Sequence, residues 1–215
     1  MIAENISKLK LELNDKAEIV VVSKYRHIND IQEVYDLGFR AFAENKVQPL
    51  LERINQLPHD IEWHIIGHLQ TNKVKHIITF ISMIQSVDSI KLLKEINNQA
   101  EKNNLTINCL LQIYIAQEET KFGFDKEEIL NNEFLESISQ FKNINIKGVM
   151  GMATNTENKT QVAAEFNELK TIFDAIKLKN IFQNFETISM GMSGDYQIAV
   201  ENGSNMLRLG SIIFE

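Results

Sequence analysis

Short apolar or β-branched runs alternate with helical periodicities along the whole chain, and no other feature limits the possible folds as strongly. The runs lie at Ile19 to Ser23, Arg40 to Ala43, Ile61 to Ile66, Met83 to Val87, Ile107 to Ile113, Ile146 to Gly151, Thr187 to Met190 and Met206 to Leu209, which makes eight candidate strands. Between them, apolar residues recur three and four apart, as in Val47, Leu50, Leu51, Ile54 and Leu57, or Leu92, Leu93, Ile96 and Ala100. That spacing is one face of a helix. Val162, Phe166, Leu169, Phe173 and Ile176 predict a helix over Thr160 to Leu178, and a stripe from Ile129 to Phe141 predicts another after the fifth strand. Ile2, Ile6, Leu9 and Leu13 place an amphipathic helix ahead of the first strand. Asp88-Ser89, Asp125 and Asp195 stand where helices should begin, each with an oxygen that can accept from first-turn N–H groups.

Strands that alternate with helices pair in parallel through right-handed crossovers, because a tight hairpin cannot reach a parallel neighbour. Eight such units close a (β/α)8 TIM barrel; an open doubly wound sheet is the competing architecture, and the pattern favours the barrel. The 215 residues contain two prolines, Pro49 and Pro58, and no Gly/Ser-rich stretch that could serve as a linker. Residues 1–215 are therefore expected to form one α/β domain with compact loops.

Composition narrows the function classes. Asp and Glu (29) outnumber Lys and Arg (22), a net charge of −7, which argues against nucleic acid as the main partner. The single cysteine, Cys109, excludes an internal disulfide framework and a Cys-rich metal site, and its apolar neighbours Ile107, Leu110 and Leu111 make it a buried strand residue. The N-terminus has no basic region followed by an apolar run, and no 18-residue apolar window occurs, so a cytoplasmic protein without a membrane span is expected. No added dimerisation element stands out, which points to a monomer.

In either architecture the working face lies at the carboxyl ends of the strands. The first strand ends in Val20-Val21-Val22-Ser23-Lys24, and period-two alternation sets Lys24 on the side of Val20 and Val22. A partly desolvated lysine there would have a depressed pKa, and its neutral amine attacks carbonyls to form a Schiff base. Glu44, Asn45, Gln70 and Asn72 offer polar groups after strands two and three. His64 and His68 are four apart but straddle a strand and its loop, so they do not make a metal site, and His64 reads as a pocket-lining or core histidine. Lys121 is a second candidate amine, more simply a loop charge beside Glu118 and Glu119.

The last two strands carry the strongest local signal. Ser189-Met190-Gly191-Met192-Ser193-Gly194-Asp195 and Arg208-Leu209-Gly210-Ser211 occupy the loops where barrels recurrently hold phosphate, and Ser193, Gly194, Gly210 and Ser211 permit close backbone approach and add hydroxyls. Arg208 lies within the eighth strand and needs an acceptor there, either a core carboxylate or a ligand heteroatom. A lysine, a phosphate cradle and a buried arginine make up the inventory for pyridoxal 5′-phosphate, with the aldehyde on Lys24 and the pyridine nitrogen at Arg208. A Schiff-base aldolase acting on a phosphorylated sugar would need nearly the same set.

Over nearly its whole length the chain resembles the pyridoxal phosphate homeostasis family, also called the YggS/PROSC or alanine racemase N-terminal-domain-like family. The resemblance rests on Val22-Ser23-Lys24, Glu44-Asn45-Lys46-Val47-Gln48, Trp63-His64-Ile65-Ile66-Gly67-His68-Leu69-Gln70-Thr71-Asn72-Lys73, Gln85-Ser86-Val87-Asp88-Ser89, Lys121-Phe122-Gly123, Gly148-Val149-Met150, Ser189-Met190-Gly191-Met192-Ser193 and Arg208-Leu209-Gly210-Ser211. It implies a fold-type III barrel with the cofactor on Lys24, Asn45 and His64 lining the pocket, and a protein of vitamin B6 homeostasis that buffers or delivers the cofactor, with apo pyridoxal-phosphate enzymes as recipients, rather than an enzyme. Ser211 replaces the expected threonine and keeps its hydroxyl. Alanine racemases of this fold type add a tyrosine base from a further C-terminal β-domain, for which no residues follow strand eight, so a carrier is expected. An arginine at the pyridine nitrogen also weakens the ring as an electron sink. The rival is a racemase or lyase working from the same lysine.

Overall fold

The computed structural model describes residues 1–117 and 122–215. Eight parallel strands close into a barrel in the order of the sequence: β1 (Glu18–Val22), β2 (Ala41–Glu44), β3 (Glu62–Ile65), β4 (Ile81–Val87), β5 (Ile107–Gln112), β6 (Ile144–Met150), β7 (Thr187–Ser189) and β8 (Met206–Leu209). The ring closes where β1 pairs with β8, Val20 opposite Arg208 and Val21 opposite Leu209. Helices α1 (Ile2–Leu13), α2 (Ile28–Asp36), α3 (Val47–Arg53), α4 (Ile90–Lys102), α5 (Lys126–Leu130), α6 (Asn132–Ser139), α7 (Lys159–Leu178), α8 (Tyr196–Glu201) and α9 (Ser211–Phe214) lie outside it, with a 3₁₀ turn over Thr71–His76 after β3. No helix among the described residues is long and apolar enough to cross a membrane.

Two apolar layers result from strand alternation. The larger lies between barrel wall and helices and takes Val21, Phe42, Trp63, Ile65, Ile84, Cys109, Leu111 and Leu207 from the strands, and Leu50, Leu92, Ile96, Phe166 and Leu169 from the helices. The smaller fills the barrel interior with Val20, Ala41, Ala43, Leu110, Met150 and Met206. Cys109 is thus the buried strand residue expected, on the wall side of β5, and burial pushes its thiol far above the usual range.

The expected caps hold in two places and change in a third. Ser89 Oγ accepts from Leu92 N, and Asp125 Oδ1 accepts from Glu128 N. Asp195 instead accepts from Met192 N behind it, so it ties the loop after β7 rather than the first turn of α8. The Ile129 to Phe141 stripe is two helices. At Asn131 the backbone is extended, with φ −68° and ψ 127°, and its side chain starts α6 by accepting from Phe134 N. The stripe through Leu57 likewise stops being helical at Arg53.

Candidate functional site

The C-terminal mouth opens into a cavity of about 690 Å³. Its wall includes Lys24, Asn45, Ser193, Gly194, Arg208, Gly210 and Ser211, so seven of the eight expected residues converge there. His64 does not line the cavity; it sits deeper, on β3 opposite Ala43, almost wholly buried. Lys121 lies outside the described residues.

Alternation places Lys24 as expected: Val20 is interior, Val22 lines the cavity, and Lys24 follows on the same side. Solvation departs from expectation. β1 ends at Val22, and Lys24 lies past it, exposed at the mouth, with no hydrogen bond or ion pair among the described residues. Its ammonium therefore reaches water.

Arg208 is 3% exposed. Nη1 donates to Ser189 Oγ at 2.7 Å and Nη2 to Gly151 O at 2.9 Å, while Nε has no partner among the described residues. Those two donors therefore meet a hydroxyl and a carbonyl rather than a core carboxylate. Burial lowers the guanidinium to about 10, still fully charged at neutral pH, and nearby Asp195 opposes the shift.

A directed chain of hydrogen bonds continues from Arg208 across the interior. Arg208 can only donate, so Ser189 must pass its own proton to Gln85 Oε1, at 2.6 Å. Gln85 Nε2 then points at His64 Nδ1, at 2.9 Å, which makes Nδ1 the acceptor and leaves the ring proton on Nε2. Burial pulls His64 down to about 4, so it is neutral at physiological pH. Gln85 and Ser189 were missed as site residues, although a glutamine amid Met83, Ile84 and Val87 is the kind of buried polar group that needs a partner.

The opposite wall can receive an anion. Ser193 Oγ accepts from the N–H groups of Gly210 (3.2 Å) and Ile212 (3.3 Å) at the start of α9, which leaves its hydroxyl proton free to donate inward. The N–H groups of Gly194 and Ser211 have no backbone acceptor among the described residues. A Cβ at Gly194 would meet nothing within 4 Å, whereas one at Gly210 would press on Val22 Cβ and O at 3.3 Å. Gly194 thus faces open cavity, and Gly210 lets α9 sit close to β1. Gly67 has a similar role, since a Cβ there would lie 2.3 Å from Asn45 O. Of the other polar groups expected here, Gln70 and Asn72 are exposed and outside the cavity, and Glu44 is turned into the barrel wall. Tyr25, Arg26, Met152, Met192 and Glu215 complete the rim, with Arg26 paired to Glu215 at 2.5 Å.

These residues fit a phosphorylated aromatic aldehyde: an amine at the mouth, a buried cation with an unsatisfied N–H, and amide and hydroxyl donors opposite. No cluster of three or more metal-ligating side chains occurs among the described residues.

A family model described as "Alanine racemase, N-terminal domain" matches residues 1–215. The pyridoxal phosphate homeostasis protein of Helicobacter pylori is 38% identical over 201 residues, 92% of this chain and 87% of that protein. That of Synechocystis is 35% identical over 210 residues, 97% and 95% of the two chains. PipY of Synechococcus elongatus, solved with pyridoxal phosphate bound, superposes with a TM-score of 0.89 at 28% identity over the full length of both chains. An alanine racemase of Clostridium difficile shares the fold at a TM-score of 0.80 and 14% identity, with 55% of its chain covered.

Proposed function

Because the chain belongs to the alanine racemase N-terminal-domain family, and its curated relatives are pyridoxal phosphate homeostasis proteins, we propose that it binds pyridoxal 5′-phosphate at the barrel mouth and serves in the homeostasis and delivery of that cofactor. The convergence of Lys24, Arg208 and the free donors around Ser193 and α9 on one cavity carries this reading.

Lys24 would hold the cofactor through its amine, the one such group at the mouth among the described residues, and the cofactor's aldehyde would supply the carbonyl for a Schiff base. The hydroxyls of Ser193 and Ser211 and the N–H groups of Gly194 and Ser211 would receive the phosphate. Arg208 Nε, left without a partner among the described residues, would be the donor for the pyridine nitrogen. Being donor-only, it would suit an unprotonated nitrogen, which would leave the ring a poor electron sink. The hydrogen bonds to Ser189 and Gly151 fix its plane. His64 supports Arg208 from below through Gln85 rather than touching the cofactor.

An open mouth and an exposed lysine suit exchange with the cofactor pool or with apo-enzymes better than sealed-site chemistry. The protein is therefore read as a carrier without robust catalysis of its own, acting in the cytoplasm as a monomer.

The test is the visible spectrum of the purified protein followed by borohydride reduction and peptide mapping. A yellow protein whose reduced adduct maps to Lys24 is expected. An adduct on Lys73 or Lys121 refutes the site. Incubation with common L-amino acids should give no D-enantiomer or keto acid above the free-cofactor background; turnover would replace the carrier by a racemase or lyase.

A further inference from the structure

The segment presenting Lys24 is held by more than a surface lysine requires. Arg26 N donates to Ser23 O at 3.1 Å and closes a four-residue turn with Lys24 and Tyr25 as its central pair. Tyr25 has φ +64°, a left-handed value favoured by glycine and strained for a residue that bears a side chain. Strain of this kind persists where the surroundings enforce it.

The enforcing group is Arg53, in the last turn of α3. Its Nη1 donates to Ser23 O and its Nη2 to Arg26 O, both at 2.9 Å, so one guanidinium grips both ends of the turn. Arg53 Nη1 also pairs with Glu44 Oε1, which accepts from Ser23 Oγ at 2.7 Å. The Glu44 side chain is 1% exposed, and its Oε2 is buried with no donor among the described residues. Burying an ion pair with an unsatisfied oxygen is a poor way to staple a helix to a barrel, since apolar packing of the same volume often does as well or better. Glu44 orients Arg53, Arg53 fixes the two carbonyls, and the turn then aims a lysine that has no hydrogen bond or ion pair among the described residues and feels the Glu44 charge only at longer range.

We infer that Arg53, oriented by Glu44, is a positioning residue for the amine of Lys24. The inference rests on the reading that Lys24 bears the cofactor. A fork that fixes the turn limits the Nζ excursions and raises the fraction of time the amine faces the aldehyde; it makes no bond to Arg208 or to the donors around Ser193 and α9 that are proposed to hold ring and phosphate.

Pyridoxine 5′-phosphate separates the two contributions, because it keeps ring and phosphate but has an alcohol where the aldehyde would be and cannot bond to lysine. In Arg53→Met the Kd for pyridoxal phosphate should rise about tenfold, the equivalent of one lost charge-assisted hydrogen bond, while the Kd for pyridoxine phosphate should stay within about twofold. Glu44→Gln, which keeps shape but removes the charge that orients Arg53, should move the ratio the same way. Arg53→Lys, whose single ammonium cannot span two carbonyls, carries the test if Arg53→Met does not fold. Equal changes in both affinities, or none in either, overturn the inference and leave Arg53 a helix staple. Lys24→Ala should bring the two ligands to similar affinity. If it keeps the wild-type preference for pyridoxal phosphate, the lysine reading falls and the inference with it; if Lys24→Ala behaves as expected and the Arg53 and Glu44 variants match wild type, the inference alone falls.

Discussion

Ser189→Ala tests the chain of hydrogen bonds that crosses the barrel. The substitution removes the acceptor of Arg208 Nη1 and the donor to Gln85 Oε1, both fully enclosed. A buried neutral group left without its partner costs about 1–3 kcal/mol, and a charged one more. The methyl group cannot recruit a replacement, and Arg208 remains charged because its pKa of about 10 is still well above neutral. The sum is roughly 3–5 kcal/mol, which for a chain of this size lowers Tm by about 10 °C. Urea unfolding of the apo-protein by circular dichroism and tryptophan fluorescence measures it, and coincident transitions license a two-state treatment. The partner experiment is Gln85→Leu, alone and combined with Ser189→Ala. If the chain acts as one unit, the double variant should fall short of the sum of the singles by at least about 1 kcal/mol. A cost below about 1 kcal/mol for Ser189→Ala, or strict additivity in the cycle, refutes the argument that Arg208 is held through this chain.

Two further outcomes follow from the same geometry. His64 is held near 4 against an ordinary 6.5, so the unfolded chain binds the extra proton first as pH falls; its contribution is whole above about 6.5 and is lost as pH falls towards 4, about 3 kcal/mol in all. Glu44, Glu18 and Asp195, whose pKa values burial raises, act in the opposite sense. They are common to wild type and His64→Gln, so the variant should lose less stability across that window, and parallel curves would sink the assignment. Gly67→Ala puts a methyl 2.3 Å from Asn45 O and must move that wall by about an ångström, costing about 1–3 kcal/mol in melting experiments; Gly194→Ala, with open space around it, should melt with wild type.

Architecture was legible because a parallel barrel repeats one instruction: β-branched runs bounded by helical stripes. Lys24 and Arg208 were legible for a related reason, as charges set within apolar strand patterns that needed an explanation. What stayed hidden depends on tertiary neighbours. The break at Asn131 interrupts no apolar stripe, since Ile129, Leu130, Phe134 and Leu135 keep helical spacing on either side. Glu44 reads as a polar group at the mouth, but its last position on β2 turns it outward to Ser23 and Arg53. The exposure of Lys24 depends on where β1 ends, and strand ends are the least determined part of a sequence pattern.

The seam between β1 and β8 has a consequence for how the protein acquires its site. Val22 and Lys24 lie just to one side of it, Arg208, Gly210 and Ser211 to the other, and α1 packs on α9 with Asn5 Nδ2 donating to Ile213 O. The cofactor's two ends would thus be gripped at the first and last strands of the barrel, and contacts of such long sequence separation form late in folding. The ligand would then act as a clasp, its binding free energy added to ring closure and lost whenever the seam opens.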